Sequence, residues 1–181
     1  MMFIQLTGLS GSGKSTLAGQ VQQQLQGLDY HVEIIDGDVY RQHLCSDLDF
    51  SRAGRLENIR RLGCMGITLA RNGVIAIMAA INPYAEMRQW LEEQSDLTRT
   101  VWIDCDLETL QQRDTKGLYR RAMLPEGHPD KINNLTGLND PFEKPEYPHL
   151  LIHTNTETEA GSTRKLFDFI LREIAARKKL Q

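Results

Sequence analysis

The residues best suited to chemistry lie near the start of the chain. Gly8-Leu9-Ser10-Gly11-Ser12-Gly13-Lys14-Ser15 fits the spacing G-x-x-x-x-G-K-[ST]. Glycines at this spacing let backbone N–H groups turn inward around phosphate oxygens. The helix that should follow adds the positive end of its dipole. Gly11, Ser12, Gly13, Lys14 and Ser15 are therefore expected to hold a nucleotide triphosphate, with Lys14 reaching its β- and γ-phosphates. The Ser15 hydroxyl suits Mg²⁺, a hard cation that prefers oxygen ligands. ATP and Mg²⁺ are thus the expected cofactors. A phosphate cradle implies nucleotide binding, not a particular reaction. The sequence carries no Asn-Lys-x-Asp guanine-reading motif and no Leu-Ser-Gly-Gly-Gln transporter signature, and it is short for a helicase. A small-molecule kinase fits better.

A second group follows. Asp36-Gly37-Asp38 closes the next apolar run, at the strand edge where open α/β sheets bind their ligands. One of its carboxylates could take a proton from an acceptor hydroxyl or position Mg²⁺. A plain Asp-rich turn is the simpler reading of the same residues. Arg41, Arg55, Arg60 and Arg61 suit bidentate contacts to phosphate or sulfate, although Arg60 and Arg61 alone would be a solvated helix face. Phe50 could stack on a base, or pack as a staple onto the helix after it. His128 is an isolated loop histidine that could sense an acceptor or simply decorate the surface.

These residues need a scaffold, and the hydrophobic pattern supplies one. Strands are expected at Phe3–Thr7, His31–Asp36, Val74–Ala80, Val101–Ile103 and Leu150–Ile152. Helices are expected over Lys14–Gly27, from a Ser51 cap through Arg71, after Pro83 through Leu91, over Leu107–Arg113 and over Ala160–Ala176. Strands alternating with helices imply an α/β fold: a three-layer α/β/α sandwich around a mostly parallel sheet of about five strands. Residues 115–148 break the rhythm with five of the six prolines, and a connection of that length reads as a lid. The expectation is one kinase domain over 1–181.

Composition narrows the class further. The 181 residues are 40% hydrophobic and 25% charged, which excludes disordered and fibrous chains. A net charge of −3 gives no general pull toward nucleic acid. The longest apolar run, Val74–Ile81, is too short to cross a bilayer, and the N-terminus lacks the features of a signal peptide. Cys45, Cys64 and Cys105 have neither zinc nor redox spacing and read as reduced thiols of a cytoplasmic protein, with Cys64 and Cys105 in the core.

Taken together, the motifs resemble the adenylylsulfate kinase family. The likeness runs from Phe3 to about Thr154. It rests on Gly8-Leu9-Ser10-Gly11-Ser12-Gly13-Lys14-Ser15-Thr16, Asp36-Gly37-Asp38, Asp47-Leu48-x-Phe50-Ser51, Arg55-x-x-Asn58-Ile59-Arg60-Arg61, Asn82-Pro83-Tyr84, Arg113-Asp114-x-Lys116-Gly117-Leu118-Tyr119 and Leu135-Thr136-Gly137-x-x-Asp140-Pro141-Phe142-Glu143. The resemblance implies transfer of phosphate from ATP to the ribose 3′-hydroxyl of adenosine 5′-phosphosulfate. It makes Lys14, Asp38 and Arg55 catalytic, with Ser15 and Asp38 at the metal. It places Thr16 with the ATP phosphates and Arg113 near the adenine. It gives the acceptor Asp36, Arg41, Phe50, Arg55, Asn58, Ile81, Asn82, Leu118 and Leu135, with Lys116 in the lid. It also implies a homodimer with small nucleotide substrates and a place in sulfate assimilation.

Three features depart from the family pattern. Asn82 stands where the family usually has serine before Pro-Tyr, so no hydroxyl is available there to accept phosphate and direct in-line transfer is expected. The arginine after Tyr is replaced by Ala85, leaving Arg88 to supply charge. Leu135 replaces a second stacking aromatic, and the lid around His128 is longer. These leave open a kinase of the same fold for another nucleotide conjugate, such as a cytidine diphosphate-type conjugate in glycan decoration. A nucleotide-binding module without catalysis is the remaining alternative.

Overall fold

The computed structural model describes residues 1–179. Its elements run β1 (Met2–Thr7), α1 (Lys14–Gln26), β2 (Val32–Asp36), α2 (Gly37–His43), α3 (Arg52–Arg71), β3 (Ile75–Ala79), α4 (Ala85–Gln94), β4 (Thr98–Asp104), α5 (Leu107–Arg113), α6 (Leu118–Ala122), β5 (Leu150–His153) and α7 (Glu159–Lys178). The five strands form one sheet in the order β2-β3-β1-β4-β5, and every pairing is parallel. β1 lies at the centre. Its C-terminal end leads directly into the glycine loop.

Strand alternation sorts the core into two layers. Met2, Ile4 and Leu6 pack against Leu17, Val21 and Leu25 of α1 and Leu166, Phe169 and Ile170 of α7. Phe3 faces the other way and packs with Ile59, Leu62 and Ile67 of α3 and Leu91 of α4. β1 and β3 are buried along their whole length, which is why they read as unbroken apolar runs. α3 approaches the sheet closely because Gly66 has no side chain: a Cβ there would lie 2.3 Å from the Phe3 ring. A third cluster joins Cys105 and Leu110 to Tyr119, Ala122 and Leu135 of the segment expected to be a lid.

The differences from expectation have local causes. β4 extends to Thr98 because Thr98 and Thr100 bury their side chains despite being polar. α2 is not among the expected helices; Asp36 caps it, accepting from the backbone N–H of Asp38 at 2.9 Å and of Val39 at 3.3 Å. α6 forms inside residues 115–148 because the Asp114 carboxylate accepts from the N–H groups of Tyr119 and Arg120, each at 3.0 Å. Cys105 is buried as expected, but Cys64 is exposed on the outer face of α3, and it is Cys45 that joins the core.

Candidate active site

Three glycines of the phosphate loop take positive φ: Gly8 at 153°, Gly11 at 78° and Gly13 at 94°. Gly8 is also sterically required, since a Cβ there would sit 2.3 Å from the carbonyl oxygen of Ile103. The Lys14 ammonium is drawn into this loop. It donates to the carbonyls of Gly8 at 2.8 Å and Leu9 at 2.7 Å. Burial lowers its pKa to about 7, and the positive charge of Lys116 adds to the effect. Incoming phosphates would reverse that shift, because they offer the charged amine a strong partner.

The Ser15 hydroxyl donates to Asp36 at 2.6 Å. Asp36 thus ties the phosphate loop to β2 while capping α2. Asp38, in the first turn of α2, directs its carboxylate to the ammonium of Lys116, so the segment expected to be a lid meets the candidate proton acceptor. The Arg41 guanidinium lies 4.1 Å from the Phe50 ring centroid and also donates to the Asp49 carbonyl. Phe50 remains 55% exposed, with the edge of a stacking platform open.

Arg55 is nearly buried and has several partners. Its Nε donates to the Phe50 carbonyl at 2.9 Å, one Nη to the Thr136 hydroxyl at 2.8 Å and the other to the Asn134 carbonyl at 2.6 Å. Asp140 lies 3.6 Å away. Arg55 therefore joins α3, the Phe50 loop and residues 134–140. Arg61 reinforces that loop by gripping the Asp47 carboxylate with two bonds of 2.7 Å. Arg60 and Arg61 both pair with Glu57, whose pKa they pull down to about 2.

A cavity of about 250 Å³ gathers much of this chemistry. Its walls include Gly11, Gly13, Lys14, Ser15 and Thr16 of the phosphate loop, then Asp38, Arg41, Phe50, Arg55, Asn58, Ile81, Asn82 and Lys116. Lys14, Arg41, Arg55 and Lys116 give it a cationic wall suited to a polyanion. Asn58 is buried, and its Oδ1 has no hydrogen-bond partner among the described residues.

The remaining expected residues lie beside the cavity, not on it. Ser12 is fully buried within the loop. Arg113 donates to the Thr154 carbonyl at 2.8 Å, and the Thr154 hydroxyl donates to the Ser12 carbonyl at 3.0 Å. Leu118 and Leu135 pack in the cluster around Tyr119. His128 accepts from the Asp130 backbone at 3.1 Å and stays in its own turn. Arg88 does not supply charge to the cavity: it is buried and donates to the Asn82 carbonyl at 2.8 Å and to the Glu143 carbonyl.

Sequence reasoning missed two supports. The Tyr119 hydroxyl donates to the Ser10 carbonyl at 2.9 Å, linking α6 to the phosphate loop. The Glu143 carboxylate accepts from the Ala85 N–H at 2.6 Å, which fastens the far end of the 115–148 connection to the start of α4. A helix start with no capping side chain of its own was the available signal for the second.

Comparison with known proteins supports the same reading. Residues 1–153 match the family model described as adenylylsulphate kinase. An adenylyl-sulfate kinase of Synechococcus sp. (strain JA-3-3Ab) is 42% identical, over 98% of this chain and 96% of that protein. One from Halothermothrix orenii is 39% identical over 92% of this chain and 88% of its own length. The structure of the Mycobacterium tuberculosis APS kinase in complex with AMPPNP and APS superposes with a TM-score of 0.85 at 32% identity, covering 93% of this chain and 96% of that one. Motif order, cavity composition and full-length similarity agree, and the chain belongs to the adenylylsulphate kinase family.

Proposed function

We propose that this protein transfers the γ-phosphoryl group of ATP to the 3′-hydroxyl of adenosine 5′-phosphosulfate, giving 3′-phosphoadenylyl sulfate and ADP. The observation that carries this reading is the single cavity in which Lys14 and Ser15 meet Asp38, Arg41, Phe50, Arg55 and Asn58. Phosphoryl transfer needs positioning and charge stabilisation more than covalent help, and this wall offers both. Lys14 holds the β- and γ-phosphates and balances the charge that develops as the bond to the leaving oxygen lengthens. Asp38 takes the proton of the attacking hydroxyl. Phe50 stacks on the acceptor base, while Arg41 and Arg55 face its phosphosulfate.

The donor set fits Mg²⁺: the Ser15 hydroxyl and the carboxylates of Asp36 and Asp38 are hard oxygens grouped at the phosphate loop. When bound, the cation would draw charge from the β- and γ-phosphate oxygens. Transfer is direct, since Asn82 has no hydroxyl and its amide nitrogen is already committed to Gln5 at 2.9 Å. Lys116 and the rest of 115–148 act as the lid, and the protein works as a cytoplasmic homodimer in sulfate assimilation. The three free cysteines suit that compartment, and sedimentation analysis reads the oligomeric state.

The test is coupled ADP release from MgATP with adenosine 5′-phosphosulfate and a panel of other nucleotide conjugates. Saturable turnover with adenosine 5′-phosphosulfate is expected. A different winner in the panel would overturn the acceptor assignment and leave the kinase chemistry standing.

A further inference from the structure

Gln5 is fully buried in β1, on the sheet face that meets α3 and α4. A buried amide is costly unless it is hydrogen-bonded, and this one is. Its Nε2 donates to the Arg88 carbonyl at 3.0 Å and to the Thr100 hydroxyl at 2.8 Å. Its Oε1 accepts from Asn82 Nδ2 at 2.9 Å. The orientations follow from donor logic. The Arg88 carbonyl can only accept, so Gln5 must turn its nitrogen toward it. That leaves the Gln5 oxygen facing Asn82, which must answer with its own nitrogen. The Thr100 hydroxyl passes its proton side to the Glu92 carboxylate, so donors run one way from Asn82 to Glu92.

Asn82 is the end of this chain and part of the cavity wall. It is 1% exposed and takes φ 45°, an uncommon conformation for a residue with a side chain. Its carbonyl accepts from the Thr7 hydroxyl at 3.0 Å and from Arg88 at 2.8 Å. The next residues lead to the anchor of the lid: Glu143 donates its N–H to the Pro83 carbonyl at 2.9 Å. The Gln5 side chain thus supports the cavity wall through Asn82 and the base of the lid through Arg88.

We propose that Gln5, which lines no part of the cavity, is a positioning residue for the acceptor, holding the Ile81–Pro83 wall through its amide pair with Asn82. The proposal deepens the function given above and rests on it for its kinetic consequence. A left-handed Asn82 persists only while its surroundings over-determine it. Without the Gln5 oxygen, the Asn82 amide would turn to another partner and the wall would relax. The phosphate loop meets this wall at one backbone bond, from the Gly8 N–H to the Ile81 carbonyl at 3.2 Å, and its bonds from Lys14, Tyr119 and Thr154 lie elsewhere, so it would keep its ATP geometry.

The experiment compares the wild type, Gln5→Leu, Asn82→Ala and the double variant. Gln5→Leu should raise the acceptor KM about tenfold, with kcat and the KM for ATP within about twofold, and Asn82→Ala, on the cavity wall itself, should raise the acceptor KM at least as much. The double variant should be no worse than the worse single one, because both remove the same interaction. A lowered Tm with an unchanged acceptor KM, or additive effects, would overturn the proposal. Gln5→Asn, whose shorter side chain cannot keep the bond to Asn82, carries the test if Gln5→Leu does not fold. Hydrogen exchange gives a readout independent of acceptor identity: the amides of Ala85 and Glu143, bonded to the Glu143 carboxylate and the Pro83 carbonyl, should exchange faster in both single variants. Unchanged exchange there would refute the pair. Absence of wild-type turnover with adenosine 5′-phosphosulfate would instead refute the proposed reaction.

Discussion

The donor and acceptor sides of the cavity are built in opposite ways. On the donor side, Lys14 is 8% exposed, and its partners, Gly8 and Leu9, lie within six residues of it. The loop is seated on the central strand, and distant residues, Tyr119 and Thr154, only brace its outer carbonyls. On the acceptor side, the side chains of Asp38 and Lys116 are 71% and 53% exposed, and they meet across 78 residues of chain. Phe50 is held by Arg41 and the Arg55 network, not by the core. The common step proposed here, gripping a triphosphate, rests mainly on short-range contacts of Lys14. The selective step proposed here, recognising the acceptor, is assembled from exposed side chains and a long connection. Such a division lets the acceptor wall change while the phosphate grip stays fixed.

Substitutions can break or sharpen that division. Asp38→Asn should have the largest effect, lowering kcat by about 10²–10⁴-fold with little change in nucleotide affinity; steady-state kinetics beside nucleotide titration would show it. Unchanged kcat would remove Asp38 from the proton path. Lys14→Ala should lower kcat by about 10²–10³-fold through lost charge stabilisation. It also allows a titration test. With its pKa lowered to about 7, free Lys14 is mostly neutral at pH 8, and bound phosphates should restore its proton. ATP binding at pH 8 should therefore take up close to one proton, seen by calorimetry in buffers of different ionisation enthalpy. Affinity should weaken as pH rises above about 7, and Lys14→Ala should abolish the uptake.

Phe50→Ala should act on the acceptor side alone. Loss of one base stack is worth about 1–3 kcal/mol, so the acceptor KM should rise by about 5–150-fold while the KM for ATP stays constant. A rise in the ATP constant would mean the two sides are not separable. Tyr119→Phe should have the smallest effect. It leaves the Ser10 carbonyl without its donor, which costs about 1 kcal/mol. Tm should fall by about 2–4 °C, read by calorimetry, with a small rise in the KM for ATP. Burial pushes the Tyr119 phenol up to about 12, so the bond should persist through alkaline assays.

Legibility in the sequence followed the same divide. The strands at Phe3–Thr7 and Val74–Ala80 were readable because both sheet faces are buried, and the glycine spacing announced its own loop. α2 and α6 were not, because each depends on one carboxylate, Asp36 or Asp114, turning back on the chain. Cys64 was misplaced because periodicity marks an apolar stripe without saying which flank of it is covered.

By itself the sequence determined the sheet, the phosphate loop and the set of residues offered to the acceptor. These depend on periodicity and on interactions a few residues apart. Tertiary structure alone decided how the offered residues were used. It committed Arg88 to backbone carbonyls and Arg55 to Asn134 and Thr136, and it moved Leu135 into a cluster beside the cavity. It also gave a glutamine in a central strand a partner 77 residues away. A buried polar group must find its partner wherever the fold brings one, and that partner is not set by spacing along the chain.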